Sequence, residues 1–128
     1  MKKAAKKNKT KEATPEALIE RGNHALASLQ PELAARFFQR ALALMPDDTN
    51  IMDALADALL QIGEKEAAFQ LLTLSTSTAP EENPYKWCYL AQLQSGKEAV
   101  TSYQRGIEIL TRLLQSGVVD EVDSLDIN

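Results

Sequence analysis

The chain has 128 residues, 45% of them hydrophobic, and a formal net charge of −4. Its length supports one domain with a modest core, and an Ala- and Leu-rich composition with five Gly and five Pro favours helices. The single cysteine, Cys88, excludes an internal disulfide and a cysteine-based metal cluster.

No stretch is long and apolar enough to span a membrane, and the first twelve residues hold no apolar run of a secretory leader. A soluble chain in a reducing compartment is expected. Charge is uneven along it. Lys2, Lys3, Lys6, Lys7, Lys9 and Lys11 stand against Glu12 alone, so the remainder is more acidic than the whole. A basic block without apolar residues predicts a disordered arm over 1–13. It serves as a solubilising tail or, through Lys2–Lys11, as a contact for an import receptor or for RNA. An acidic body does not suit direct nucleic-acid binding, because phosphates need a basic surface.

Structured chain is expected from Thr14, an N-cap with Pro15 at the first helical position and Glu16 at the positive end of the helix dipole. A helix over about 15–28, a turn at Leu29-Gln30 and a second helix from Pro31 to about residue 45 form the first hairpin. After Pro46, Asp47-Asp48-Thr49 turns the chain and caps a helix over about 50–62. Gly63 makes the next turn, and a fourth helix runs over about 65–78 before Pro80. Pro84 opens a helix with Trp87, Leu90 and Ala91, and Gly96 marks a turn. A last helix runs through Tyr103, Gly106, Ile107, Leu110 and Leu114 to about Gln115, where Ser116-Gly117 stops it. Residues 117–128, with Asp120, Glu121, Asp123 and Asp126, form an acidic tail expected to fray, to fold on a partner, or to fold back as a cap.

These helices repeat. Pro46 and Pro80 are separated by the same interval as Gly22 and Ala56, Ala34 and Ala68, Phe38 and Leu72, and Ala41 and Ser75. That interval, about 34 residues, is the period of tetratricopeptide helix–turn–helix units, each helical pair built for a protein-binding stack. The predicted fold is all-α, a helical solenoid of about three units over 14–116. Gly22, Ala56, Ala34 and Ala68 are expected where helices approach closely, and Leu18, Phe38, Met52, Leu55 and Leu72 in the core. In the third unit Ala91 and Ala99 are taken as the paired small positions. They are eight residues apart where the earlier pairs are twelve apart, which predicts a short third repeat lacking about one helical turn.

Catalytic chemistry is not in view. His24, the only histidine, and Cys88 stand in no nucleophile motif, and glycine-rich phosphate loops and metal-ligand spacings are missing. Asp53 and Asp57 lie one turn apart but lack the closed pocket that acid–base work needs. Neither an enzyme nor a cofactor is expected.

In such repeats the concave groove is lined by fixed positions of the first helix of each pair. Numbered from Pro15, Thr49 and Pro84, these include Glu16, Glu20 and Asn23, then Asn50, Asp53 and Asp57, then Tyr85, Tyr89 and Gln92. Acids, amides and tyrosines without Lys or Arg suit an extended basic segment. A carboxylate clamp for an acidic chaperone tail is disfavoured, since Ile19, Glu20, Asp53 and Asp57 stand where basic or amide groups are needed. The remaining alternative is a generic scaffold or co-chaperone adaptor for another protein segment.

The string from Asn83 to Leu93 (NPYKWCYLAQL), with Gly96, Ala99 and Tyr103-Gln104-Arg105-Gly106-Ile107, Gly63-Glu64 and Ala79-Pro80, resembles the fungal tetratricopeptide assembly chaperones of ribosomal protein uL4 (RPL4). The resemblance covers about residues 14–116. It implies a client, the long basic internal loop of uL4, kept soluble in the groove and escorted into the nucleus for large-subunit assembly. Members of that family are longer than this chain. Nucleus and cytoplasm are the implied compartments.

Overall fold

A computed structural model describes residues 14–117, all of whose regular elements are helices. These are α1 (Pro15–Ala27), α2 (Pro31–Leu44), α3 (Thr49–Gln61), α4 (Lys65–Thr78), α5 (Tyr85–Leu93) and α6 (Gly96–Gln115). The basic arm over 1–13 and the acidic tail beyond Gly117 lie outside the described residues. Contacts divide the chain into two compact units, one ending at Thr78 and one beginning at Ala79. In the first, α1 packs on α2, α2 on α3 and α3 on α4; in the second, α5 packs on α6.

Local chemistry sets the ends. Thr14 caps α1 by accepting from Ala17 N–H at 3.3 Å, and Pro15 spends no donor at the first turn. Asp48 caps α3 by accepting from Ile51 N–H at 3.1 Å. Both hairpins of the first unit turn through the same two bonds. Gln30 N–H donates to Ala25 O and Leu29 N–H to Leu26 O; at the equivalent positions of the next repeat, Glu64 N–H donates to Leu59 O and Gly63 N–H to Leu60 O. This motif needs a left-handed residue at its centre. Gly63 supplies it at φ +86°, whereas Leu29 adopts it at φ +61° with its side chain 85% exposed.

The expected core is buried: Leu18, Phe38, Met52, Leu55 and Leu72, with Gly22, Ala34, Ala56 and Ala68. Leu18, Ala41 and Ile51 form a cluster, with Ile19, Phe37 and Leu42 packed against it. At Gly22 the close approach is made by the Phe38 ring, and a Cβ there would lie 2.7 Å from Cζ and 2.8 Å from Cδ1.

The third pair corrects the sequence reading in part. Helix α5 has nine residues where α1 and α3 have thirteen, so one helical turn is missing as expected. The period itself does not break. Buried Ser102, Gly106 and Ile109 follow Ala68, Leu72 and Ser75 by one full period each, while Ala99 is half-buried and Tyr103 is 40% exposed. Helix α6 begins early, and this restores the register that the short α5 would lose. Ser102 also donates to Gln94 Oε1 at 2.6 Å, tying the helix to the turn before it. In register with Leu18 and Met52 stands Lys86, fully buried and not left without a partner.

Leu29→Gly is expected to raise stability by about 0.5–1 kcal/mol in chemical denaturation, because the left-handed penalty outweighs the added freedom of the unfolded chain. Gly22→Ala should cost about 1–3 kcal/mol, since its methyl group must displace the Phe38 ring.

Candidate partner-binding surface

The side chains expected to line a groove divide between the two units. Glu16, Glu20 and Asn23 are exposed on α1, Asn50 is exposed on α3, and Asp57 is half-buried one turn before Gln61, whose amide donates to its Oδ1 at 3.3 Å. With Asp53, the first unit carries six of the nine. Glu16 and Asn50 are one repeat period apart, as are Asn23 and Asp57, so they occupy the same face of their helices. Glu20 also borders a depression of about 670 Å³ between α1 and α2, shared with Arg21, His24, Leu33 and Phe37. The guanidinium of Arg21 at this rim was not among the sequence candidates, although it adjoins Glu20 in the chain.

Asp53 does not belong to that open face. It is 9% exposed, and its Oδ1 accepts from the Ser75 hydroxyl of α4 at 2.6 Å. The reason lies in register. Position for position, Asp53 matches Ile19 and Ser75 matches Ala41, both of which are packing residues in the first hairpin. A carboxyl group at a packing position needs a donor, and Ser75 provides one.

Tyr85, Tyr89 and Gln92 lie on α5 in the second unit, where Tyr85 and Gln92 are exposed and Tyr89 is half-buried. They stand one period after Ile51, Leu55 and Ala58, not after Asn50, Ala54 and Asp57. Numbering the third repeat from Pro84 rather than Asn83 causes the offset. Residues in register with the first unit's row are Pro84, Cys88 and Ala91. Cys88 is half-buried, and its Sγ stands 3.3 Å from where a Cβ on Gly106 would lie.

The second unit is held by a different set of polar contacts. The Trp87 indole N–H donates to Pro80 O at 2.9 Å, fixing the segment before α5. Glu81 receives Arg105 Nη2 at 3.0 Å and a fork from Arg112, at 2.7 and 3.2 Å. The hydrogen bonds from Arg112, more than the charges of Arg112 and Arg105, hold the Glu81 carboxyl below its usual range; the same pairing pushes Arg112 up. All three side chains are substantially exposed, so salt weakens the cluster. Among the described residues no helix is long and apolar enough to cross a membrane.

The sequence matches no protein-family model and no curated protein. Solved structures do match. MamA is 20% identical with a TM-score of 0.71, over 80% of this chain and 62% of that one. An assembly chaperone of RpL4 (Acl4, residues 1–338) is 21% identical with a TM-score of 0.77, over 87% of this chain and 44% of that one. The Sgt2 TPR domain from Aspergillus fumigatus is 21% identical with a TM-score of 0.68, over 89% and 82%. The fold is a tetratricopeptide-repeat helical solenoid. At these identities the likeness speaks for the fold alone, and the chain spans less than two thirds of MamA and of Acl4.

Ser75→Ala should lower first-unit stability by about 1–2 kcal/mol in urea unfolding, the cost of removing a buried donor from Asp53. It should leave partner affinity within twofold, because this pair is turned into the packing.

Proposed function

We propose that this chain is a protein-binding module that takes an extended basic segment, and that its client is the basic loop of ribosomal protein uL4 before large-subunit assembly. The observation that carries the reading is the row on α1 and α3 that holds exposed Glu16, Glu20, Asn23 and Asn50 together with half-buried Asp57. Carboxylates at this spacing receive Lys and Arg side chains of an extended strand, and the amides bond its backbone. The acidic balance of the chain adds a long-range attraction that speeds encounter with a basic client. The uL4 assignment is supported by the resemblance of residues 83–110 and by the fold shared with an assembly chaperone of RpL4. In the second unit Tyr85, exposed on α5, is by itself available for stacking on guanidinium groups. The Lys2–Lys11 arm serves nuclear import, so the protein works in nucleus and cytoplasm.

The test is titration calorimetry of a synthetic uL4-loop peptide against the full chain. Affinity should fall at least tenfold between 50 and 300 mM salt, values chosen to shorten the Debye length across the contact distances. Glu20→Lys with Asp57→Lys should weaken binding more than tenfold while leaving the helical signal intact. Unchanged affinity in that double variant sinks the acidic-face reading, and stronger capture of a non-basic peptide sinks the client.

A further inference from the structure

Helix α6 carries an exposed apolar row that the earlier repeats lack. Val100 is 54% exposed, Tyr103 40%, Ile107 60% and Leu114 49%, with half-buried Leu110 among them. One and two periods before Val100 stand Glu66 and Glu32, and before Ile107 stand Thr73 and Gln39. All four are polar and exposed. The repeat's own packing therefore makes no use of these two positions, and solvent-facing places have turned apolar in the third repeat alone. Its hairpin does not account for the change, since the buried Ser102, Gly106 and Ile109 lie on another side of the helix. A contiguous apolar patch of this kind, rimmed by polar residues, marks an interaction surface.

We infer that this row is the contact surface for a second copy of the chain, two α6 helices packing antiparallel about Ile107. Steps of three, four, three and four residues from Val100 to Leu114 are the a/d spacing of a two-helix seam. That spacing is self-complementary. A two-fold axis at Ile107 sets this side chain against its own copy, Val100 against the partner's Leu114, and Tyr103 beside the partner's Leu110. Charge agrees with this occupant. The row is flanked by Gln104 and Thr111 on one side and by Ala99, Gly106 and Leu113 on the other, all uncharged. The nearest charges, Lys97 and Glu108, are of opposite sign and stand a step further round the helix. Arg105 and Arg112 lie beyond them, where Glu81 receives both. Two copies therefore meet without like charges opposed, and a charged partner finds no counter-ion beside the row. On two copies the exposed parts of the row and its flanks come to roughly 1,000 Å², the lower limit for a specific interface. The association is accordingly reversible, with a dissociation constant in the micromolar range.

Sedimentation velocity of the full chain across the micromolar range tests the assignment. A concentration-dependent shift from monomer to dimer is expected. Val100→Glu with Ile107→Gln restores residues that the first repeat carries at these positions, so the variant should keep its helical signal and remain monomeric throughout. Orientation is read by crosslinking. Val100→Cys and Leu114→Cys chains, each made with Cys88→Ala, should crosslink under mild oxidation about tenfold faster when mixed than either does alone. A chain that stays monomeric up to the millimolar range overturns the proposal, as does a dimer that survives the double variant. Faster crosslinking of Val100→Cys chains to one another overturns the antiparallel pairing. A monomer whose α6 row is slow in hydrogen exchange gives the row to another segment of the same chain and also overturns it. None of these measurements uses Glu16, Glu20 or Asp57, so their outcome is independent of the client.

Discussion

How closely two helices of a hairpin can pack depends on the side chains pinched between them, and the rest of this fold follows from that separation. Gly22 takes the edge of the Phe38 ring where no Cβ would fit. One repeat later the same two positions hold Ala56 and Leu72, and in the third they hold Leu90 and Gly106. Large and small have changed sides. Gly106 then admits the first turn of α5, meeting Pro84 O, the Trp87 Cβ and the Cys88 Sγ at 3.1–3.3 Å from where its own Cβ would stand. The sum of the two volumes varies less than either member, as dense packing at roughly 8–10 Å between helix axes demands.

This exchange explains how much the sequence discloses. Helix boundaries in the first unit are legible to within about one residue because prolines, Asp48 and Gly63 act locally, through φ and through orphan amides. The third repeat is harder to read. A search for small residues in fixed places finds Ala91 and Ala99, whereas the repeat keeps its period with Ser102 and moves its glycine to the opposite helix. Leu29 escapes notice for a related reason. The turn geometry is enforced by two backbone bonds, so any residue at that position is driven left-handed, and the side chain gives no sign of it.

The candidate surface was legible only where position and chemistry agree. Glu16, Glu20 and Asn23 are polar at outward positions and are exposed. Asp53 is polar at an inward position, and no pattern of one residue type could reveal that Ser75, on the following helix, would meet it. Lys86 poses the same problem more sharply, since a lysine in register with Leu18 and Met52 reads as solvent-facing yet is fully buried. Both arise where the repeat substitutes a polar residue into a packing position, a choice that costs stability unless a partner is provided. Such positions report on the specificity of packing rather than on ligand binding.

The outer helices of the described residues, α1 and α6, present faces of different chemistry. On α3 the face turned to α2 carries Ile51, Leu55 and Ala58, all buried. The matching face of α1 carries Ala17, Arg21 and His24, and the last two are exposed. Polar substitution leaves that face of α1 solvated through Arg21 and His24. Helix α6 has no such substitution, and Ile107, Leu110 and Leu114 keep an apolar row open. The exposed face of α1 is thus polar and the exposed row of α6 apolar, a difference in side-chain chemistry laid on the same helical periodicity.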